Sequence, residues 1–503
     1  MTAPQVLVVG AGPTGLVLAL WLTKLGIPVR IIDKNAAPGL ASRAMAVQAR
    51  TLEFYRQLGF ADDVVAGGIK VDHVHLRSGA DEVAAFELTG LGASISPYPF
   101  VLSFPQDDHE RLLNARLATA GVHVDWNTEL TDFADDGTHV RATMRANGRA
   151  ESIDVPYLVG CDGAHSIVRQ QLAFGFPGGT YDQIFYVADV DATNVPAVND
   201  LNLCLGPNTL CVIFPVRSTG MHRLIGIVPE AVASRPTITF DDVRPSIEQL
   251  IAVHVTRVNW FSTYNVHHRV AEHFRAGRVF IAGDAGHVHS PAGGQGMNTG
   301  IGDAINLSWK LAHTLRGRAD PSILDTYEAE RIVFARALVS TTDTAFSNIV
   351  SDKTVGRLVR TVLVPHVAPF ALDFSPIRKF IFRLVSQIHI RYRHSALSAG
   401  RAGDVHGGDR LPWVTLGDTD NFAPLTSVDW QLHVYGTATT PLRDAARARK
   451  LPLHEMPWTS AADDAGLARD AAYLIRPDGY VALAHPTQDP APLTAFLTTH
   501  GVR

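Results

Sequence analysis

Residues 5–34 read QVLVVGAGPTGLVLALWLTKLGIPVRIIDK, and this stretch leaves the chain few folds to choose from. An apolar strand at Val6–Val9 runs into Gly10-x-Gly12-x-x-Gly15. An apolar helix follows, then Gly26 as a stop, then a second strand, Val29–Ile32, ending at Asp33. In that context each glycine has a task. Gly10 permits the tight turn, Gly12 lets a pyrophosphate come near the backbone, and Gly15 lets helix pack on strand. The helix N-terminus offers free N–H groups and positive dipole to phosphate. Asp33 stands where an acid accepts from a ribose hydroxyl. The pattern predicts a dinucleotide-binding α/β unit and does not choose between NAD and FAD.

At 503 residues the chain has room for two or three domains. A net charge of −5 argues against a general nucleic-acid binder. The opening MTAPQVLVVG enters a strand at once, so no secretory leader is expected. The apolar run at 6–22 is broken by Gly10, Gly12, Pro13 and Gly15, so it reads as strand, turn and helix and not as a membrane span. Cys161, Cys204 and Cys211 fit no metal or disulfide framework, and a reducing cytoplasm is the expected home.

Two more segments carry turns at strand ends. YLVGCDGAHSIVR (157–169) is an apolar strand followed by Asp162-Gly163 and a helix. GRVFIAGDAGHVHSPAGGQGMNTGIGDAINLSWKLAHTL (277–315) places Asp284 just past a strand at Val279–Ala282, where ligands bind in open α/β sheets. The helix beginning near Met297 sets Ile301, Ala304, Ile305, Trp309 and Ala312 on one face and Leu307 and Leu311 on another, so burial on more than one side is expected. Gly293-Gly294-Gln295-Gly296 before it leaves backbone N–H groups exposed, an end that attracts negative charge. His287 and His289 beside Asp284 could suggest a metal, but no His or Cys cluster follows at ligand spacing. No metal is expected, and His287 is expected to pack, hydrogen-bonded, behind the loop.

Together these segments resemble the FAD-dependent aromatic hydroxylases of the p-hydroxybenzoate hydroxylase type, the group A flavoprotein monooxygenases, over about residues 1–340. The resemblance implies that Gly10, Gly12 and Gly15 hold the FAD pyrophosphate and that Asp33 and Lys34 lie at its adenosine end. Asp162-Gly163 is similar to the family's DG motif, which serves FAD and the passing nicotinamide, and Gly283-Asp284 to its GD motif, whose aspartate holds the ribityl chain. SRAMAVQARTLEFYRQLG (42–59) and LSFPQDDHERLL (102–113) are similar to two further family segments and imply contacts from Arg43 and Gln106. Pro291, Gly294, Gly296, Met297 and Asn298 then border the flavin ring, with the helix end facing its N1–C2=O edge. Gly286 stands where alanine is usual, and Ser290-Pro291 where two prolines are usual.

Residues 175–270 alternate as strands and suggest an antiparallel wall over the flavin, with Tyr181, Phe185, Phe214, Pro215 and Arg217 as candidate lining. No catalytic base stands out. Residues 343–395 read as apolar, moderately basic helices (Lys353, Arg357, Arg360, Arg378, Lys379, Arg383, Arg391, Arg393), expected to pack between domains or across a dimer more than to touch a membrane. After GGDRLPWVTL (407–416) the order is strand, helix, strand, a hairpin turning at Pro477-Asp478-Gly479, and a helix. This tail resembles the thioredoxin-like domain of larger family members, and without cysteine it can do no thiol–disulfide chemistry.

The expected architecture is α/β: a Rossmann-like FAD-binding domain (1–174 and 271–342), an inserted antiparallel β-sheet substrate domain (175–270), a helical connecting segment (343–406) and a thioredoxin-like C-terminal domain (407–503). The function implied by the resemblance is hydroxylation of a small phenolic or polycyclic aromatic compound by FAD, with O2 and with NADPH or NADH as a transient reductant. Oxygen is delivered from a flavin C4a-hydroperoxide. No nucleic acid and no stable membrane insertion are expected, and the chain is a monomer or homodimer. A Baeyer–Villiger oxygenase of the same architecture and a non-catalytic flavin-binding scaffold stay open as alternatives. A halogenase is disfavoured by the lack of a Trp-x-Trp-x-Ile-Pro segment.

Overall fold

The computed structural model describes residues 3–39, 44–206, 209–216, 220–290, 294–350 and 375–502. Arg43, Arg217, Pro291, Lys353, Arg357 and Arg360 lie outside the described residues. The Val6–Val9 strand is buried throughout, as a parallel strand covered on both faces must be. Tyr157–Gly160 pairs with it on one side and Val29–Ile32 on the other, both parallel. Val279–Ile281 extends the sheet past the first neighbour and Val124–Asp125 past the second. Chain crossovers therefore leave Val6–Val9 in both directions. Its carboxyl end is the topological switch point, where open α/β sheets bind ligands.

Helix Pro13–Lys24 starts with proline, whose missing N–H costs nothing in a first turn. It packs against helix Gly296–Leu315. In the latter, Ile301, Ala304, Ile305, Trp309 and Ala312 are fully buried, and so are Leu307 and Leu311. The helix is enclosed on more than one side, as its pattern predicts.

The second large sheet departs from the sequence reading. Among the described residues it has eight strands and is mixed, and the 175–270 boundaries are too narrow for it. Leu201–Leu205 pairs in parallel with His73–Ser78, whose hairpin partner Asp81–Glu87 forms one edge. His287–Val288 forms the other edge. The added hairpin covers what would otherwise be an open strand edge at Leu201–Leu205. One face, with Tyr186, Ala188, Val190, Cys211 and Leu224, packs beneath helix Phe240–Ile251. Alternation along Gly178–Thr193 turns Phe185, Val187 and Asp189 to the opposite face.

In the tail, Gln431–Tyr435 pairs in parallel with Leu453–Met456 across helix Thr440–Ala448. Ala472–Ile475 and Val481–His485 form the hairpin, and helix Pro490–Thr499 follows. This sheet begins earlier than 407, because Ala399–Ala402 adds in parallel to Val481–His485. Among the described residues no helix is long and apolar enough to cross a membrane.

The tail is joined to the first unit by buried charges. Glu330 accepts from Arg476 at 2.7 and 3.0 Å, from Lys310 at 2.9 Å and from Asn306 at 2.6 Å. Arg476 also donates to Asp478, which accepts the Trp309 indole N–H at 3.1 Å. Nearby, Glu53 is paired with Arg50 and Arg410. Burial lowers the Lys310 pKa to about 8 although Glu330 opposes it. Burial would raise Glu330, but Arg476 and Lys310 outweigh it and hold the carboxyl far below its ordinary range.

Candidate functional site

The glycines of the first turn divide by what surrounds them. A Cβ on Gly10, whose φ is +103°, would lie 2.3 Å from the Cys161 carbonyl oxygen, and one on Gly15 would lie 2.0 Å from that of Gly10. The protein's own packing demands both. Among the described residues, a Cβ on Gly12 would meet no atom within 4 Å. Gly12 therefore borders space that the chain leaves open at the switch point, in front of a helix N-terminus without a side-chain cap. Gly163, left-handed at φ +79°, faces open space in the same way. These open cradles fit a pyrophosphate lying along the backbone.

Asp33 closes the turn from the neighbouring strand. Its Oδ2 accepts from Ala11 N–H and its Oδ1 from Asn35 N–H, both at 2.8 Å. An ionised carboxylate has about four acceptor positions, so capacity for a ribose hydroxyl remains. Lys34 is exposed beside an open polar groove lined by Asn35, Asn127, Glu129 and Arg145. Gln106 accepts from Ala44 N–H at 3.2 Å and donates to Glu110 at 2.8 Å. Burial pushes the Glu110 carboxyl up, with Asp33 adding to the effect.

Asp162 turns one oxygen to its own helix, accepting from Ile167 N–H at 2.8 Å and Val168 N–H at 3.3 Å. Its other oxygen is buried without a partner, and burial raises the carboxyl pKa. Arg169, which the sequence does not single out, ties this turn to the next by donating to the carbonyls of Ala164 and Ala285.

At Gly283-Asp284 three elements meet on one hydroxyl. Gly283 is left-handed at φ +64°, and a Cβ there would lie 2.6 Å from Thr14 Oγ1; one on Gly300 would lie 2.4 Å from the same atom. Asp284 sits exposed in the short turn at the strand end. Behind it, Asp303 accepts from Gly283 N–H at 3.0 Å and pairs at 2.6 Å with both His287 Nε2 and Arg331 Nε. Burial would raise Asp303, but Arg331 and His287 hold it below its ordinary range. His287 is thus packed and hydrogen-bonded behind the loop, as the sequence indicates. Among the described residues no three His, Cys, Asp or Glu groups come together as a metal set. The departure at Gly286 has a local cause: a Cβ there would press on the Phe274 ring at 3.1 Å.

Helix Gly296–Leu315 begins without a side-chain cap, so its first-turn N–H groups face forward. Gly294 is left-handed at φ +61° against Ala46, while Gly296 meets only His289 at ordinary contact distance, 3.7 Å. Met297 packs partly buried against the core. Asn298 uses its side chain within the protein. Its Oδ1 accepts from Gln48 N–H and Thr51 Oγ1, and its Nδ2 donates to the carbonyls of Ala46 and Gly294. The side chain is fully spent on locking the helix to strand Ala46–Val47, which leaves the backbone N–H for a ligand.

The residues expected to line the substrate wall sit in mostly apolar clusters. Tyr181 and Phe185 are buried with Leu205, Leu210, Ile227 and Val266, and Phe214 packs on Met45 and Val216. Pro215 accepts from Ser103 Oγ at 2.6 Å, which pins the wall to the first unit. Asp189, on the same face as Phe185, holds Arg223 in a buried two-pronged pair at 2.7 and 2.8 Å.

With this geometry in view, comparison with known proteins identifies the family. The family model described as FAD binding domain matches residues 3–342. The 6-methylpretetramide 4-monooxygenase of Streptomyces rimosus is 36% identical, over 98% of this chain and 93% of the relative. The pentachlorophenol 4-monooxygenase of Sphingobium chlorophenolicum is 30% identical over 81% of this chain and 75% of its own. The solved structure of OxyS anhydrotetracycline hydroxylase from Streptomyces rimosus superposes with a TM-score of 0.80 at 27% identity, covering 99% of each chain. The chain belongs to the FAD-binding-domain family of FAD-dependent aromatic monooxygenases.

Proposed function

We propose that this FAD-dependent aromatic monooxygenase hydroxylates a fused-ring phenolic compound of the tetracyclic polyketide kind. The observation that carries the reading is the uncapped N-terminus of Gly296–Leu315, in a fold whose second sheet holds a cluster of buried aromatic and aliphatic side chains. The 36% identity to a pretetramide oxygenase over nearly the whole chain points to the same substrate class.

In this reading Gly10, Gly12 and Gly15 bear the pyrophosphate, Asp33 and Lys34 the ribose end, and Gln106 the segment beside it. Asp162 and Gly163 serve the passing nicotinamide as well as FAD, and Asp284 takes the ribityl chain. Gly294, Gly296, Met297 and Asn298 present backbone to the flavin ring. When bound, FAD supplies reduction by NAD(P)H and activation of O2. The chain holds the negative charge of reduced flavin at a helix N-terminus, a contribution of up to about 2 kcal/mol in a partly buried site. Its apolar wall excludes water and orients the ring to be oxygenated. Asp303 and Arg331 fix the loop that carries Asp284.

The tail's strand–helix–strand–hairpin–helix order supports a thioredoxin-like scaffold, and its lack of cysteine leaves a structural role. The test is an anaerobic spectrum during NADPH addition, with simple phenols and with fused-ring phenols. Flavin bleaching at least tenfold faster with a fused-ring phenol is the expected result. Equal bleaching with and without any aromatic would overturn the substrate assignment.

A further inference from the structure

We infer that Gln387 is a positioning residue for the flavin site, holding from behind the helix end that receives the flavin. The inference rests on Gly296–Leu315 being the flavin-facing helix. Gln387 follows helix Ser375–Val385, belongs to no strand or helix of the cofactor unit, and is buried, with 3% of its surface exposed. Its backbone is left-handed at φ +61°. A non-glycine residue keeps that conformation only where its surroundings fix it, and such residues cluster at functional sites.

The side chain shows what fixes it. Gln387 Nε2 donates to Gln295 Oε1 at 2.7 Å and to Thr299 Oγ1 at 2.9 Å, with the Gln295 carbonyl at 3.3 Å. Gln295 answers by donating from Nε2 to the Val385 carbonyl at 2.9 Å. Gln295 is the residue at which the flavin-facing helix begins, and Thr299 lies in its first turn. Arg331 donates to the Thr299 carbonyl at 3.0 Å, so the turn is gripped twice. Arg50 N–H, at the start of helix Ala49–Leu58, meets the Ser386 carbonyl at 3.2 Å and keeps the 385–387 segment in place.

A helix start is ordinarily fixed by a side-chain oxygen that accepts from the first-turn N–H groups. Here that solution would use up the donors meant for the ligand. Gln295 instead turns its amide backwards to Gln387 and leaves those donors free. The connecting segment thereby sets the distance from the helix dipole to the flavin edge, and so the stability of the reduced, negatively charged flavin.

The test uses the full chain reconstituted with FAD. Gln387→Asn keeps a residue that tolerates a left-handed backbone and shortens the reach by one methylene. Gln387→Gly removes the amide and the backbone strain together, and covers the case in which the first variant does not fold. The flavin reduction potential, the reduced-flavin spectrum across pH and the thermal midpoint are measured for each. Loss of grip shifts the oxidised/reduced equilibrium about tenfold toward oxidised flavin, which for a two-electron couple is about 30 mV more negative. The N1 proton of reduced flavin should also be held to higher pH. Unchanged potential and spectrum in the folded variants, whatever their melting temperature, would overturn the role of Gln387. A wild-type chain that takes up no FAD overturns the underlying reading of the helix, which is a different result.

Discussion

Replacing Glu330 by alanine is expected to cost the folded state about 3–5 kcal/mol, the range for breaking a buried ion pair on one side only. Glu330 is fully enclosed and is the shared acceptor of Arg476, Lys310, Asn306 and Ser395. Its removal leaves Lys310 with only the Asn306 amide oxygen and Arg476 with only the Asp478 carboxylate, and both cationic side chains are themselves fully enclosed. The truncation also opens a cavity. Urea or thermal unfolding of the two proteins measures the effect; a difference under 1 kcal/mol would contradict the network. The pH dependence has a definite sign. Arg476 and Lys310 depress the Glu330 carboxyl in the folded state against the opposing effect of burial. Its contribution is therefore complete above the ordinary glutamate range, near pH 4.5, and is lost as pH falls toward the folded value. Wild-type stability should fall more steeply between pH 5 and pH 3 than that of Glu330→Ala.

The second large effect separates two glycines in one motif. Gly12→Ala is expected to fold normally, because its new Cβ meets no atom of the described residues within 4 Å and its φ of −72° suits any residue. In the proposed reading FAD approaches that same space. Crowding there of about 1–3 kcal/mol, the usual cost of overpacking, weakens FAD binding roughly 5- to 150-fold. Gly10→Ala should behave differently. Its Cβ would strike the Cys161 carbonyl at 2.3 Å in a left-handed backbone, so stability fails along with cofactor binding. Flavin fluorescence titration and melting curves on the two variants distinguish the cases. Gly12→Ala with wild-type FAD affinity would remove the pyrophosphate from this turn.

The parts of the site that were legible in the sequence are those where backbone is the constraint. Gly10 and Gly15 are required by contacts within four to five residues or with the adjacent strand, and such demands leave a fixed spacing behind. Asp303 was not legible, since its partners Gly283, His287 and Arg331 lie 16 to 28 positions away and no spacing links them. One signal was available: a charged residue at position 303 of a helix that is apolar on several faces must be paired when buried. The position of Asn298 at the helix end does not reveal what its side chain does. The fold spends its side chain on Ala46, Gln48 and Thr51, which only the folded chain brings near. The hairpin His73–Glu87 was hidden for a similar reason, because its parallel partner Leu201–Leu205 is more than 120 residues later and only tertiary pairing joins them.

The charge cluster around Glu330 also bears on the order in which the molecule can be completed during synthesis. Arg476 is synthesised 146 residues after Glu330 and Asp478 169 residues after Trp309, yet they fill positions against those residues in the first unit. Until they leave the ribosome, Glu330 lacks its arginine partner and the Trp309 indole N–H lacks its acceptor. The cofactor-binding half is therefore completed by residues made well after its own. A nascent chain stopped before Arg476 should be a substrate for chaperones and proteases, even with every residue of its FAD cradle already made.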